Sequence, residues 1–129
     1  MTKTMDKTHV IERLVAHLTE ELASCLDAAR RKELEAQLLM YRFLPKRAYT
    51  TADEIVPSSL VRLKTGQVET MCFLVPQGGG LILEVDGTPV QVVTPHSPLG
   101  DQLLGKKAGD TIRIPMREGF REYQILSNH

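Results

Sequence analysis

The chain has no tryptophan and only 5% aromatic residues, yet 42% of its 129 residues are hydrophobic, enough to bury a real core. It carries no excess of charge, 16 basic residues standing against 16 acidic ones. The signs also balance within each half, nine of each through Ile55 and seven of each beyond it. The broad basic footprint of a nucleic-acid surface is therefore missing, and no direct sequence-specific binding of nucleic acid is expected. Cysteine is scarce as well. Cys25 and Cys72 lie in segments that read as structurally separate, with no Cys-x-x-Cys and no Cys/His ligand spacing, so neither a metal site nor a disulfide is expected. His9, His17, His96 and His129 are scattered. No apolar run approaches the length of a membrane span and no secretory signal is present, which points to a cytoplasmic protein without a membrane partner.

Catalytic patterns are missing too. There is no Gly-x-Ser-x-Gly, no His-Glu-x-x-His and no paired nucleophile and base. His96 stands beside Ser97, but neighbours in a strand or cap rarely aim their side chains at each other. Gly100 to Lys106 fits Gly-x4-Gly-Lys, the start of a phosphate-binding loop. Lys107 then stands where a Ser or Thr must reach magnesium, Leu103 and Leu104 call for burial, and the turn at Ala108-Gly109-Asp110 leaves no room for the following helix. No cofactor, no metal and no enzymatic activity are expected.

What is present divides into a helical half and a β-rich half. Glycine and proline are absent from His9 to Leu44. Val10, Ile11, Leu14, Val15, Leu18, Leu22 and Leu26 recur at threes and fours, as one face of a helix does; Leu34, Leu38, Tyr41 and Leu44 form a second series. The two phases do not join. Either one helix of about 35 residues, roughly 50 Å long, contains a phase slip, or a hairpin turns near residues 24–29. Ser24-Cys-Leu-Asp27 has the character of a capping box, and Asp27 can itself cap a second helix. Arg30-Arg31-Lys32 follow and read as a solvated face, with RNA or an acidic wall as the alternative.

Pro45 ends the helical region, and the stretch through Pro57 reads as a linker with a basic cluster at Arg42, Lys46 and Arg47. Beyond Ser59, short strands are expected at Leu60–Leu63, Gln67–Val75, Leu81–Val85, Pro89–Val93, Thr111–Met116 and Arg121–Leu126. Asp86-Gly87 is a hairpin signal of the primed type. Ser97 suits an N-cap ahead of Pro98 at the first helical position, and Gly105 suits the left-handed stop after Leu104. The expected fold class is α+β: an N-terminal helical hairpin at residues 1–45, a linker at 46–57, and at 58–129 an antiparallel β domain with one short helix.

The string Ser97-Pro98-Leu99-Gly100, then Leu103-Leu104-Gly105-Lys106, then Gly109-Asp110, resembles the C-terminal domain of the bacterial Gre transcript-cleavage factors and of their shorter relative Rnk. Leu34-Glu-Ala-Gln-Leu38 and Val61-Arg-Leu63 follow in Gre-like order. The resemblance implies an FKBP-like fold for the second half and a coiled-coil hairpin for the first. It implies RNA polymerase as partner, with His96, Ser97, Pro98, Leu99 and Gly100 docking on the rim of the secondary channel. In the cleavage factors the hairpin tip carries an acidic pair that holds a catalytic magnesium. Here no such pair is found, Asp27 being the acidic residue at the tip with Arg30 and Arg31 beside it. Arms of about 17 residues reach only about 25 Å. Occupation of the channel without cleavage is therefore the function the resemblance implies. A peptidyl-prolyl isomerase is the enzymatic alternative, disfavoured by the few aromatics. A module that self-associates weakly through its N-terminal helices is the third reading.

Overall fold

The computed structural model describes residues 7–45 and 47–129; Lys46, grouped above with Arg42 and Arg47, lies outside the described residues. The chain forms two compact units, Met1–Lys46 and Arg47–His129.

In the first unit, α1 (Lys7–Ser24) and α2 (Ala28–Arg42) form a hairpin, which settles the choice left open by the sequence. Val10, Ile11, Leu14 and Leu18 on α1 and Leu34, Leu38 and Tyr41 on α2 are buried, each stripe having the spacing of one helical face. Two expectations need correction. Leu26 does not continue the α1 face: the helix ends at Ser24, and Leu26 is 99% exposed at the hairpin tip. Ser24 is no N-cap either, because it is the last residue of α1 and its hydroxyl donates back to the carbonyls of Glu20 and Glu21.

The second unit is a six-stranded sheet in the order β3-β4-β2-β1-β6-β5, with a short helix α3 (Pro98–Leu103) between β4 and β5. The strands are β1 (Leu60–Thr65), β2 (Val68–Leu74), β3 (Leu81–Val85), β4 (Thr88–Val93), β5 (Thr111–Met116) and β6 (Gly119–Asn128). Asp86 and Gly87 both adopt positive φ, 50° and 80°, so β3 and β4 are joined by the two-residue primed turn that their sequence signals. The sheet is mixed, and this corrects the wholly antiparallel expectation: β2 and β4 run parallel, Met71 to Leu74 beside Val90 to Val93. The intervening β3 makes this possible, because it supplies the crossover length that parallel neighbours require. Pro89 has no N–H to give, and the parallel ladder begins only at Val90.

One sheet face and α3 enclose Val61, Leu63, Cys72, Leu74, Val93, Leu103, Ile112, Ile114 and Ile125. Leu103 is fully buried, but Leu104 is 43% exposed, contrary to its expected burial: as C-cap, with φ −57° and ψ 125°, it has left the helix and turned away from the core. Residues 53–55 are bonded into this unit. Ile55 N–H donates to Lys106 O at 2.7 Å, Gly105 N–H to Ile55 O at 2.9 Å, and Asn128 Nδ2 to Asp53 O at 3.2 Å. Hydrogen bonding from the Thr50 N–H holds the Asp53 carboxyl below its usual range.

Both cysteines are free thiols, but their settings differ. Burial pushes the Cys72 thiol up to about 12 from an ordinary 9.0, and the Tyr41 phenol up to about 12 from 10.0. Both groups lose their protons earlier in the unfolded chain, so their contribution to stability is complete below about pH 9 and is lost as pH rises towards 12. The urea midpoint is expected to be lower at pH 11 than at pH 8, with a smaller drop in Cys72→Ala. At pH 8 a thiol reagent is expected to titrate Cys25 alone in the folded protein and both cysteines in denaturant. Equal reactivity of the two in the folded state would contradict the burial of Cys72.

Candidate functional site

The loop after β4 is built around one carbonyl. Thr94 O accepts from the Ser97 N–H at 3.1 Å and from the Ser97 hydroxyl at 2.7 Å. Ser97 Oγ in turn accepts from the Gly100 N–H at 3.1 Å, capping α3, with Pro98 in the first turn. Gly100 is packed so closely that a Cβ there would stand 1.8 Å from Thr94 O. The helix is also fixed at its far end. Gly105 adopts φ 83°, Lys107 N–H donates to Asp110 Oδ2 at 2.8 Å, and Gly109 N–H donates to Ile125 O at 2.8 Å.

The result is a fixed ridge. His96 and Pro98 are exposed, Ser97 is half-buried, Leu99 is half-buried against the core, and Gly100 is buried. Beside the ridge lies a cavity of about 380 Å³, walled by Ile82, Gln91, Val93, Leu99, Ile114 and Tyr123. Tyr123 is the one aromatic residue in that wall. On the other side of His96 and Ser97 the glycine-rich loop 78–80 borders a second, shallower hollow. The sequence singled out residues 96–100, and the structure brings these five together. It also adds Ile82, Gln91, Ile114 and Tyr123 from four strands, which sequence reasoning missed. One signal was available for Ile82: at period two it shares a face with Glu84, out of phase with Leu81, Leu83 and Val85.

The hairpin tip is a separate cluster. Asp27 is the N-cap of α2, its Oδ1 accepting from the Ala29 N–H at 3.1 Å. Arg30 bridges the arms, reaching Glu21 Oε1 at 2.9 Å and Glu33 Oε2 at 3.0 Å. Donating to the Glu21 carboxylate, then to that of Glu33, raises the pKa of its guanidinium. Arg31 Nη1 donates to Leu22 O at 2.9 Å, which also accepts from the Cys25 N–H at 3.2 Å, and to Cys25 O at 3.2 Å just beyond the end of α1. The run expected as a solvated face thus holds the hairpin closed through Arg30 and Arg31. Among the described residues, no three of His, Cys, Asp and Glu come together as metal ligands could.

Residues 81–128 match the family described as transcription elongation factor, GreA/GreB, C-terminal domain. No curated protein matches the chain. Among solved structures it is similar to Gfh1 from Thermus aquaticus, with 15% identity over 96% of this chain and 94% of that one and a TM-score of 0.49. It is also similar to GreA factor homolog 1 of Thermus thermophilus, with 18% identity, 95% and 92% coverage and a TM-score of 0.45. A prokaryotic transcription elongation factor GreA/GreB from Nitrosomonas europaea shows 22% identity, 88% and 90% coverage and a TM-score of 0.45. The family match spans β3 to the end of β6 and includes the whole Ser97–Gly105 element. Over that span, which is less than half of the chain, the protein is similar to the C-terminal domain of the GreA/GreB transcription elongation factors.

Proposed function

We propose that the protein binds RNA polymerase at the rim of the secondary channel through His96, Ser97, Pro98, Leu99 and Gly100. The hairpin then occupies the channel and excludes other factors without stimulating transcript cleavage. The observation that carries the docking half is the ridge itself. Exposed His96 and Pro98 are held on backbone locked by Ser97 and Thr94, beside an apolar cavity, and sit within the matched segment. A contact element held this firmly loses little conformational freedom on binding. The occupancy half rests on the tip. The Asp27 carboxylate accepts from the Ala29 N–H, Arg30 and Arg31 are engaged within the hairpin, and Leu26 at the tip is 99% exposed. Arms of 18 and 15 residues give reaches of about 27 and 22 Å.

The test is binding to core RNA polymerase with a secondary-channel factor as competitor. Saturable binding that the competitor displaces is expected, with no increase in transcript cleavage. His96→Ala with Pro98→Ala is expected to weaken binding about tenfold while leaving the melting temperature unchanged. Absence of binding at micromolar concentrations would refute the docking, and stimulated cleavage would refute the occupancy mechanism.

A further inference from the structure

The two edges of the sheet are not alike. The β5 edge carries Arg113 and Pro115, residue types that discourage the addition of another strand. The β3 edge, Leu81-Ile82-Leu83-Glu84-Val85, has no proline, no lysine and no arginine, and no described strand lies beyond it. The hairpin geometry fixes which of its backbone groups are open. A two-residue turn at Asp86-Gly87 makes Val85 and Thr88 a hydrogen-bonded pair, and alternation along the ladder makes Leu83–Val90 and Leu81–Val92 such pairs as well. The N–H and C=O groups of Ile82 and Glu84 therefore point outward. On the side-chain level Ile82 is 70% exposed, while Leu83 and Val85 are buried.

We infer that β3 is a self-association edge, whose partner is the β3 strand of a second copy running antiparallel. The open backbone groups are symmetric about Leu83. A two-fold axis through Leu83 sets Ile82 opposite Glu84 of the second copy, and Glu84 opposite its Ile82. Each of these facing pairs exchanges two hydrogen bonds, so four form and all the open groups of the edge are used. The two Ile82 side chains become diagonal neighbours across the axis, within reach of each other. The interface is isologous, so it closes at two copies and does not propagate into fibres. Its small area makes the dimer weak and concentration-dependent.

The register dictates the sign of each charge substitution, and this makes the inference testable. Sedimentation equilibrium of the full chain between about 20 µM and 1 mM is expected to show a monomer–dimer equilibrium. The amides of Ile82 and Glu84 are expected to exchange more slowly with solvent as concentration rises. Ile82→Glu puts two carboxylates opposite each other at both ends of the pair and is expected to abolish association. Ile82→Lys puts an ammonium opposite Glu84 and is expected to tighten it about tenfold. Combining Ile82→Glu with Glu84→Lys restores opposite charges and is expected to recover dimerisation to within about threefold. Both positions are solvent-facing, so the melting temperature at low concentration serves as the folding control. A monomer throughout the range would overturn the inference. So would association indifferent to Ile82→Glu, or failure of the double substitution to restore it.

Discussion

Replacing Gly100 with alanine is expected to destabilise the sheet unit by about 3 kcal/mol or more and to abolish the proposed docking. The added methyl group would stand 1.8 Å from Thr94 O and 2.6 Å from its carbonyl carbon, inside any allowed contact. Neither neighbour can yield cheaply. Thr94 O is held by the Ser97 N–H and hydroxyl, and α3 is anchored by fully buried Leu103. Relief therefore requires α3 to lift, breaking the cap and shifting Leu99 and Leu103 together. Ser97→Ala removes the cap hydrogen bond without a collision and is expected to cost only about 1 kcal/mol. Urea unfolding of the two variants beside the native chain measures the difference. A Gly100→Ala penalty no larger than that of Ser97→Ala would show that the loop absorbs the methyl group, and that the ridge is softer than its geometry indicates.

Arg31→Ala carries the second large effect, about 2–3 kcal/mol from the helical hairpin. The turn from α1 to α2 contains no glycine, and a helix end without a glycine cap needs its last carbonyls satisfied in another way. The Arg31 guanidinium does this by donating to Leu22 O and Cys25 O across the turn, with its charge at the negative end of α1. Alanine leaves Leu22 O with the Cys25 N–H alone and removes the guanidinium from Cys25 O. Arg31→Lys keeps the charge but loses the planar fork, and is expected to fall between the two. Amide exchange in the last turn of α1 should accelerate in Arg31→Ala, with little change in β1 to β6. Unchanged exchange in that turn would make Arg31 an incidental contact.

The features legible in the sequence are those decided within a few residues. Ser97 and Asp27 cap helices, Asp86-Gly87 forms the primed turn, and Gly105 adopts positive φ because each of these depends on local backbone geometry. The helical faces were readable to the point where the helix ends, and Leu26 fell beyond it. Leu26 and Leu104 are exposed for one reason: each sits just past a helix terminus, where the direction of the backbone and not the apolar side chain decides burial. The parallel pairing of β2 with β4 lay out of reach because it is decided by where an intervening hairpin folds back, not by either strand's residues. The cavity beside the ridge is of the same kind. Ile82, Gln91, Ile114 and Tyr123 come from four strands, and only the sheet order makes them neighbours.

The place of β1 in that order has a consequence for biosynthesis. It pairs on one side with β2, next in sequence, and on the other with β6, across Val61–Asn128 and Leu63–Ile125. A nascent chain can close the first hairpin as soon as it clears the ribosome. The opposite edge of β1 waits for every intervening element to be translated, with buried-to-be Val61 and Leu63 only half covered meanwhile. Assembly of the central sheet is thus timed by synthesis of β6, and the growing polypeptide passes through an interval in which a chaperone has an open strand to hold.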